Sequence, residues 1–475
     1  MRMERPAPDV SSIVNATPMA FDRFVQETFV KSTFRSVLTR VFGTALVLLA
    51  AANAAHAQIP GNPLSGLPGN PLGQLDRPLQ SVEGLADDAL DRVAQAPSRL
   101  RGLIRSSDGA LEADPQGWPV VRGEIVAIGL SDTARAQALS QGYVVVREER
   151  LEALDLTTLV LAPPRGVSLA RAVERLGRAD PDAEVGFNHI YSPAGDVMDS
   201  TTSPAAATSS IQTGGSSGTI GLIDTGVMAT HPALVSSRVT QRGFAGPARI
   251  GAHGTAVASL LTGRSGAFNG AAPGTSLLVA DVYGGSASGG AATSLARALA
   301  WMVENGVPVV NISLVGPRNP LVQAAVARSQ ARGLVLVAAV GNDGPAAAPL
   351  FPAGYPGVIG VTAVNARGRV LPEAGRGPQV DLTAQGADMA AAGMDGGYVT
   401  VRGTSFAAPL VAGLMARDTP GRPGRDRGTA AMQSISATTR DLGARGRDDV
   451  YGAGWVGPGL ATAPRAVGAR GTLSR

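Results

Sequence analysis

Three short stretches hold side chains that could do acid–base-assisted nucleophilic chemistry. Ile220 to Val227 reads Ile-Gly-Leu-Ile-Asp-Thr-Gly-Val, an apolar run that ends in the acid Asp224 and a glycine turn. Ligand and catalytic groups gather at the carboxyl ends of buried parallel strands, although an acid there also caps an ordinary turn. Gly251 to Ser259 carries His253 into a run of small residues, which would let a helix lie close to a sheet. A lone histidine is commonly structural. Here the alternatives are few: the other three histidines are His56, His189 and His231, and His231 precedes Pro232, where it could cap a turn. Arg402 to Pro409 delivers Ser405, through Gly403, to the start of an apolar helix. A helix start offers free N–H groups and the positive end of the helix dipole, and serine is also a common N-cap. A serine hydroxyl attacks poorly at neutral pH unless a base lies within hydrogen-bond reach. The three groups therefore matter only if the fold brings them together.

The elements that would do so follow from periodicity. From Thr219 to about Leu460, β-rich apolar runs (219–223, 277–282, 308–312, 334–340, 357–363) alternate with helical runs (254–262, 292–304, 320–331). Near-continuous apolar strands separated by helices predict a parallel sheet covered on both faces. Residues 119–192 read differently. Strand 124–130, helix 131–141, strand 143–147, strand 156–161, helix 168–176 and strand 183–191 give β-α-β-β-α-β, the order of a ferredoxin-like unit. Residues 193–217 are rich in Ser, Thr, Ala and Gly and read as an exposed linker, where proteases cut.

Asp-Thr-Gly also occurs in aspartic proteases, but those need two such carboxylates, and the chain has no second copy. The set Asp-Thr-Gly, His-Gly-Thr and Gly-Thr-Ser-x-Ala-x-Pro, in the chain order Asp224, His253, Ser405, closely resembles the subtilisin-like serine proteases over residues 218–460. The resemblance implies a doubly wound α/β domain preceded by a small ferredoxin-like prodomain. It implies a secreted serine endopeptidase in which His253 is the base, Asp224 orients it and Ser405 is the nucleophile. Asn342, in Val-Gly-Asn-Asp-Gly after a buried run, resembles the family's oxyanion-hole asparagine. Ser313, Leu314, Val315 and Gly316 resemble its substrate-binding strand, and Val315 stands where many members carry Gly. A valine there should narrow the pocket for the residue before the cut. Asp441 to Gly443 and Asp449 to Gly454 resemble its closing segment. The expected partners are protein or peptide substrates and the chain's own prosegment, residues 119–192, which would assist folding and inhibit the enzyme until it cuts itself free within 193–217. The competing reading is a catalytically silent binding protein of the same fold. No cofactor and no metal ligands are expected. Members of the family bind calcium through a loop that here spans 263–272 and has neither Asp nor Glu, so no calcium site is identifiable.

Composition sets the remaining bounds. The chain has 475 residues and a net charge of +4, and its one lysine is Lys31. No run of five or six basic residues occurs, which leaves no signal for nucleic acid. The absence of cysteine excludes disulfides, thiolate metal sites and cysteine catalysis. Arg35 and Arg40 precede an apolar run, 41–52, followed by Ala55-His56-Ala57. A basic flank, a short apolar core and Ala-x-Ala predict a signal peptide over 1–57, hence export to the periplasm or the outside and no stable membrane insertion once it is removed. Residues 58–118, beginning with two copies of Gly-Asn-Pro-Leu, read as a Pro/Gly-rich tether with a weak helix; 461–475 form a tail.

Overall fold

The computed structural model describes residues 98–197, 218–418 and 427–471. The expected signal peptide, most of the tether and residues 198–217 of the expected linker lie outside these. By contacts the chain divides after Pro78 into two units, and every described residue belongs to the second.

The first part is a small antiparallel sheet. β1 (Leu111–Ala113), β2 (Pro119–Ile128), α1 (Asp132–Ser140), β3 (Val144–Leu151), β4 (Leu156–Ala162), α2 (Leu169–Ala179) and β5 (Glu184–His189) follow in order. The central strands lie as β5-β2-β4-β3, all antiparallel. Ser131 and Ser168 cap the two helices with their side chains. Period-2 alternation divides β2 between two faces. Ile125 and Ala127 pack under α1 and α2 with Leu159, Leu161 and Leu176. Val126 faces the other way and joins the core beneath the second sheet.

That second sheet has seven parallel strands. It is formed by β8 (Thr219–Asp224), β9 (Val239–Gly243), β12 (Ser276–Asp281), β13 (Val309–Ile312), β15 (Val335–Ala339), β16 (Ile359–Val364) and β17 (Leu382–Gln385), in the order β17-β16-β15-β13-β8-β12-β9. Short pairs fill the connections: β6 (Ser192–Pro193) with β14 (Leu314–Val315), β10 (Arg264–Ser265) with β11 (Phe268–Asn269), and β7 (Asp196–Val197) with β19 (Tyr398–Arg402), which also pairs β18 (Met389–Ala392). Helices α3 (Ala252–Thr262), α6 (Thr404–Asp418) and α7 (Arg427–Ser436) share one core with Ile220 and Leu222 of β8. Helices α4 (Ala292–Glu304) and α5 (Pro320–Ala331) share the opposite core with Ile223. Each side chain so buried is worth about 1.5–3 kcal/mol against exposure, which is why strands covered on both faces carry no polar alternation. Gly221 has to be glycine: a Cβ there would lie 2.7 Å from Met302 Sδ of α4.

The small sheet lies on the N-terminal ends of α4 and α5. Asn188 accepts the Thr293 N–H at the start of α4 (3.2 Å), and its amide donates to Glu124 (2.7 Å). Asn319, the N-cap of α5, donates to the Phe187 carbonyl (2.8 Å). The structure departs from the sequence expectation at four places. β9, β17 and the β18–β19 hairpin are short strands of four or five residues that the sequence reading did not assign. The start of the expected exposed linker is also not free coil: Ala194 is 3% accessible, because 192–193 pair with β14 and 196–197 pair with β19. Among the described residues no helix is long and apolar enough to cross a membrane.

Candidate active site

Three elements converge at the carboxyl end of the large sheet. Asp224 is the last residue of β8 and is fully buried. The next turn fixes it: the Thr225 N–H donates to Asp224 Oδ1 at 2.7 Å. Helix α3 then approaches Thr225 so closely that its first turn tolerates only glycine on that side. A Cβ on Gly254 would lie 2.4 Å from the Thr225 carbonyl oxygen, and one on Gly251 would lie 2.3 Å from Thr225 Oγ1. The Gly254 N–H donates to Thr225 Oγ1 (2.9 Å). This contact carries His253, in the first turn of α3, to Asp224. The Asp-Thr-Gly and His-Gly-Thr motifs are thus two halves of one joint.

His253 Nδ1 stands 2.9 Å from both carboxylate oxygens of Asp224, and Nε2 stands 3.0 Å from Ser405 Oγ. A carboxylate only accepts, so Nδ1 carries the proton and Nε2 is free to accept from the serine hydroxyl. Asp281 ends β12 opposite Asp224. Burial pushes its carboxyl up, against N–H donors from Arg249, Gly284 and Tyr283, and the Asp224 charge adds to the rise. Burial, with Asp224 and Asp281 nearby, holds the Tyr283 phenol well above its ordinary range.

Ser405 lies in the first turn of α6, next to Gly403 at φ +142°. Its carbonyl is held by Ser313 Oγ (2.9 Å), which itself accepts from Asn311 (2.8 Å). Asn342 follows β15 and Gly341. Its Oδ1 accepts the Thr404 N–H (3.1 Å), which turns Nδ2 toward the cleft. There both the Asn342 amide and the Ser405 N–H, at 3.1 Å, donate to one atom, the carbonyl oxygen of Ala194. The acid, imidazole, hydroxyl and two N–H donors therefore surround a peptide carbonyl of the chain itself.

The segment that brings it runs through the cleft as an extended strand. Ser192 and Pro193 pair antiparallel with Val315 and Leu314, and the Ala194 N–H donates to the Ser313 carbonyl (3.1 Å). Tyr191 is fully buried; its hydroxyl donates to the Pro317 carbonyl (2.9 Å) and its ring lies over Gly316, where a Cβ would come within 2.7 Å. Ala194 joins the cluster that holds Val315 and Leu350. Leu350 Cδ1 would lie 2.6 Å from a Cβ on Gly341, so this pocket is narrow on two sides. All eight residues singled out from the sequence, Asp224, His253, Ser313, Leu314, Val315, Gly316, Asn342 and Ser405, line this one cleft. The sequence reading assigned no role to Thr225, Thr404 or Asn311, although the first two stand inside the quoted motifs. His231 lies elsewhere, with Nδ1 accepting the Ala233 N–H and Nε2 donating to the Gly397 carbonyl. Among the described residues no group of three or more His, Asp or Glu side chains is placed to hold a metal ion, and loop 263–272 has no acid to fit calcium.

Comparison with known proteins places this geometry in context. The model for the subtilase family (peptidase S8) matches residues 215–454. The thermostable alkaline protease of Halalkalibacterium halodurans is 30% identical over 259 residues, covering 52% of this chain and 68% of that protein. Subtilisin DY of Bacillus licheniformis is 32% identical over 206 residues, covering 42% and 74%. Thermitase of Thermoactinomyces vulgaris is 33% identical over 208 residues, covering 42% and 74%. Among solved structures, fervidolysin of Fervidobacterium pennivorans, a keratinolytic enzyme related to subtilisin, aligns with a TM-score of 0.58 at 20% identity over 75% of this chain. That alignment covers 62% of fervidolysin, less than two thirds of its length, and carries the fold alone.

Proposed function

The chain belongs to the subtilase family and is a serine endopeptidase, and we infer that Asp224, His253 and Ser405 are its catalytic triad. Asn342 and the Ser405 N–H are its oxyanion donors. The observation that carries this reading is the Ala194 carbonyl, held by both donors beside a serine whose hydroxyl is hydrogen-bonded to His253.

The chemistry follows from these contacts. His253 Nε2 takes the Ser405 proton as Oγ attacks the peptide carbonyl carbon. Asp224 keeps the imidazole in the required tautomer and stabilises the imidazolium. Charge develops on the carbonyl oxygen, where the two N–H groups already point, so little reorganisation is needed. His253 then protonates the leaving amine, and water releases the acyl group by the same steps in reverse.

The chain is made as a self-processing precursor. Residues 119–192 are the prosegment: they lie on the starts of α4 and α5 and lead directly into the cleft, which supports both inhibition and self-cleavage within 193–217. Export is supported by the basic, apolar and Ala-x-Ala sequence of residues 1–57. A relative, the minor extracellular protease Epr of Bacillus subtilis, is 28% identical over 207 residues. Val315 and Leu350 favour a small residue before the cut. Residues 58–475 expressed beside their Ser405→Ala form test the reading by intact mass. Wild type should lose its N-terminal part while the alanine form stays whole. Equal trimming of both forms would refute self-cleavage, and two whole chains with Ser405 inert to a fluorophosphonate would favour a silent binder.

A further inference from the structure

The strand in the cleft is continuous across the catalytic serine. Before Ala194 it pairs with β14, and after Gly195 it pairs with β19, Asp196 opposite Arg402 and Val197 opposite Val401. Both sides of the cleft are therefore filled by one uncut segment, and its register is fixed at several points. Tyr191 is held through its N–H by the Gly290 carbonyl (2.8 Å), through its carbonyl by Tyr283 Oη (3.0 Å) and through its hydroxyl by Pro317. A one-residue slip would turn every side chain to the other face and would expel Tyr191 from its buried site. The carbonyl in the oxyanion hole is thus that of Ala194, and the bond presented to Ser405 is Ala194–Gly195.

The residue after that bond is half-buried, and the side on which a Cβ would stand is closed. A Cβ on Gly195 would lie 2.1 Å from Ser405 Oγ and 2.8 Å from Phe406 Cε2. Gly195 is not among the positive-φ glycines, so space and not torsion excludes a side chain. Ser405 Oγ cannot retreat without leaving His253. Phe406 cannot retreat either: it is fully buried and packs against the His253 ring at 5.2 Å between centroids. On another side Gly195 Cα lies 2.8 Å from where a Cβ on Gly403 would stand.

We propose that the precursor cuts its own Ala194–Gly195 bond, and that Phe406 restricts the mature enzyme to substrates with glycine after the cut. The proposal rests on the serine peptidase reading above. In the self-cleavage step Ser405 Oγ bonds to the Ala194 carbonyl carbon and its proton passes to His253. The Ala194–Gly195 C–N bond then breaks, and the Gly195 nitrogen takes that proton. Water hydrolyses the ester, leaving one chain that ends at Ala194 and one that begins at Gly195. The substrate class is glycine-containing polypeptide, with a small residue on the acyl side and glycine on the amine side.

Two measurements test this. The N-terminal residue of the mature form, from wild-type 58–475, should be Gly195; any other mature terminus that is also absent in Ser405→Ala overturns the bond assignment. The mature wild-type enzyme is then given two peptides, Tyr-Ser-Pro-Ala-Gly-Asp-Val and Tyr-Ser-Pro-Ala-Leu-Asp-Val. The second should fall by at least about 100-fold in kcat/KM, because the added side chain has no space without moving the nucleophile. Phe406→Ala should recover part of that loss for the leucine peptide. Labelling of Ser405 by a fluorophosphonate separates the two ways of failing. A labelled enzyme that cuts both peptides alike overturns the glycine restriction and leaves the serine peptidase reading intact. An unlabelled, inactive protein overturns both.

Discussion

Replacing Asn342 by alanine removes one of the two N–H donors on the reacting carbonyl and leaves the other, the Ser405 N–H at 3.1 Å, in place. Loss of one oxyanion donor costs about 10²–10³ in kcat, a figure that belongs to subtilisin's own asparagine; at about 1.4 kcal/mol per tenfold it is about 2.7–4 kcal/mol of barrier. The structure adds where the loss should appear. Besides its one bond from the Asn342 amide, the substrate strand is held by β14, by the Ser313 carbonyl and by β19, which together outnumber it. KM should therefore change little while kcat carries the loss. The same substitution removes the acceptor for the Thr404 N–H, and an unsatisfied buried donor costs about 1–3 kcal/mol. A fall in melting temperature should accompany the kinetic loss. The assay is steady-state hydrolysis of the Ala-Gly peptide, with active sites counted by fluorophosphonate so that unfolded protein is not scored as slow enzyme. A kcat within about threefold of wild type, or a loss confined to KM, would refute the oxyanion role.

Val315→Gly should widen the pocket that holds Ala194. Cleavage after Phe relative to Ala should then rise by roughly tenfold or more in peptides matched elsewhere, and an equal change for both would show that Val315 does not wall the pocket. His231 is held neutral, because burial lowers its pKa and Nδ1 already accepts the Ala233 N–H. Its folded pKa lies below the unfolded value, so its contribution is full above about pH 6.5 and is lost as pH falls through the folded value. Denaturant unfolding between pH 7 and pH 5 should show stability falling by at most about 1.4 kcal/mol per pH unit from this one proton. The slope should flatten in His231→Gln, and an unchanged slope would refute the assignment.

That Asp224, His253 and Ser405 come together was legible because their motifs encode local geometry. Glycines stand beside Thr225 because a helix start must touch a strand end there, and Gly403 precedes Ser405 because the chain turns sharply into α6. Such requirements leave marks on adjacent residues. The ferredoxin-like unit was legible for a similar reason: its strands and helices are long enough to keep their periods, and α1 and α2 have serine caps. β17 and the β18–β19 hairpin are four or five residues each, too short for a period to rise above composition. The contacts that tune the site left no mark at all. Ser313 reaches the carbonyl of Ser405, 92 positions away, and Asn342 reaches Thr404 at 62. Nothing beside those residues records the partner. The linker is the sharpest case. Its Ser, Pro, Ala and Gly content reads as exposed coil, and that reading holds for any segment judged by composition alone. A protease substrate is such a segment, extended and small enough to enter a cleft, so the composition that suggested solvent equally fits a strand in which Ala194 is buried and Gly195 half-buried. The pairing of the segment with β14 and β19, and the burial of Ala194, decide between the two readings.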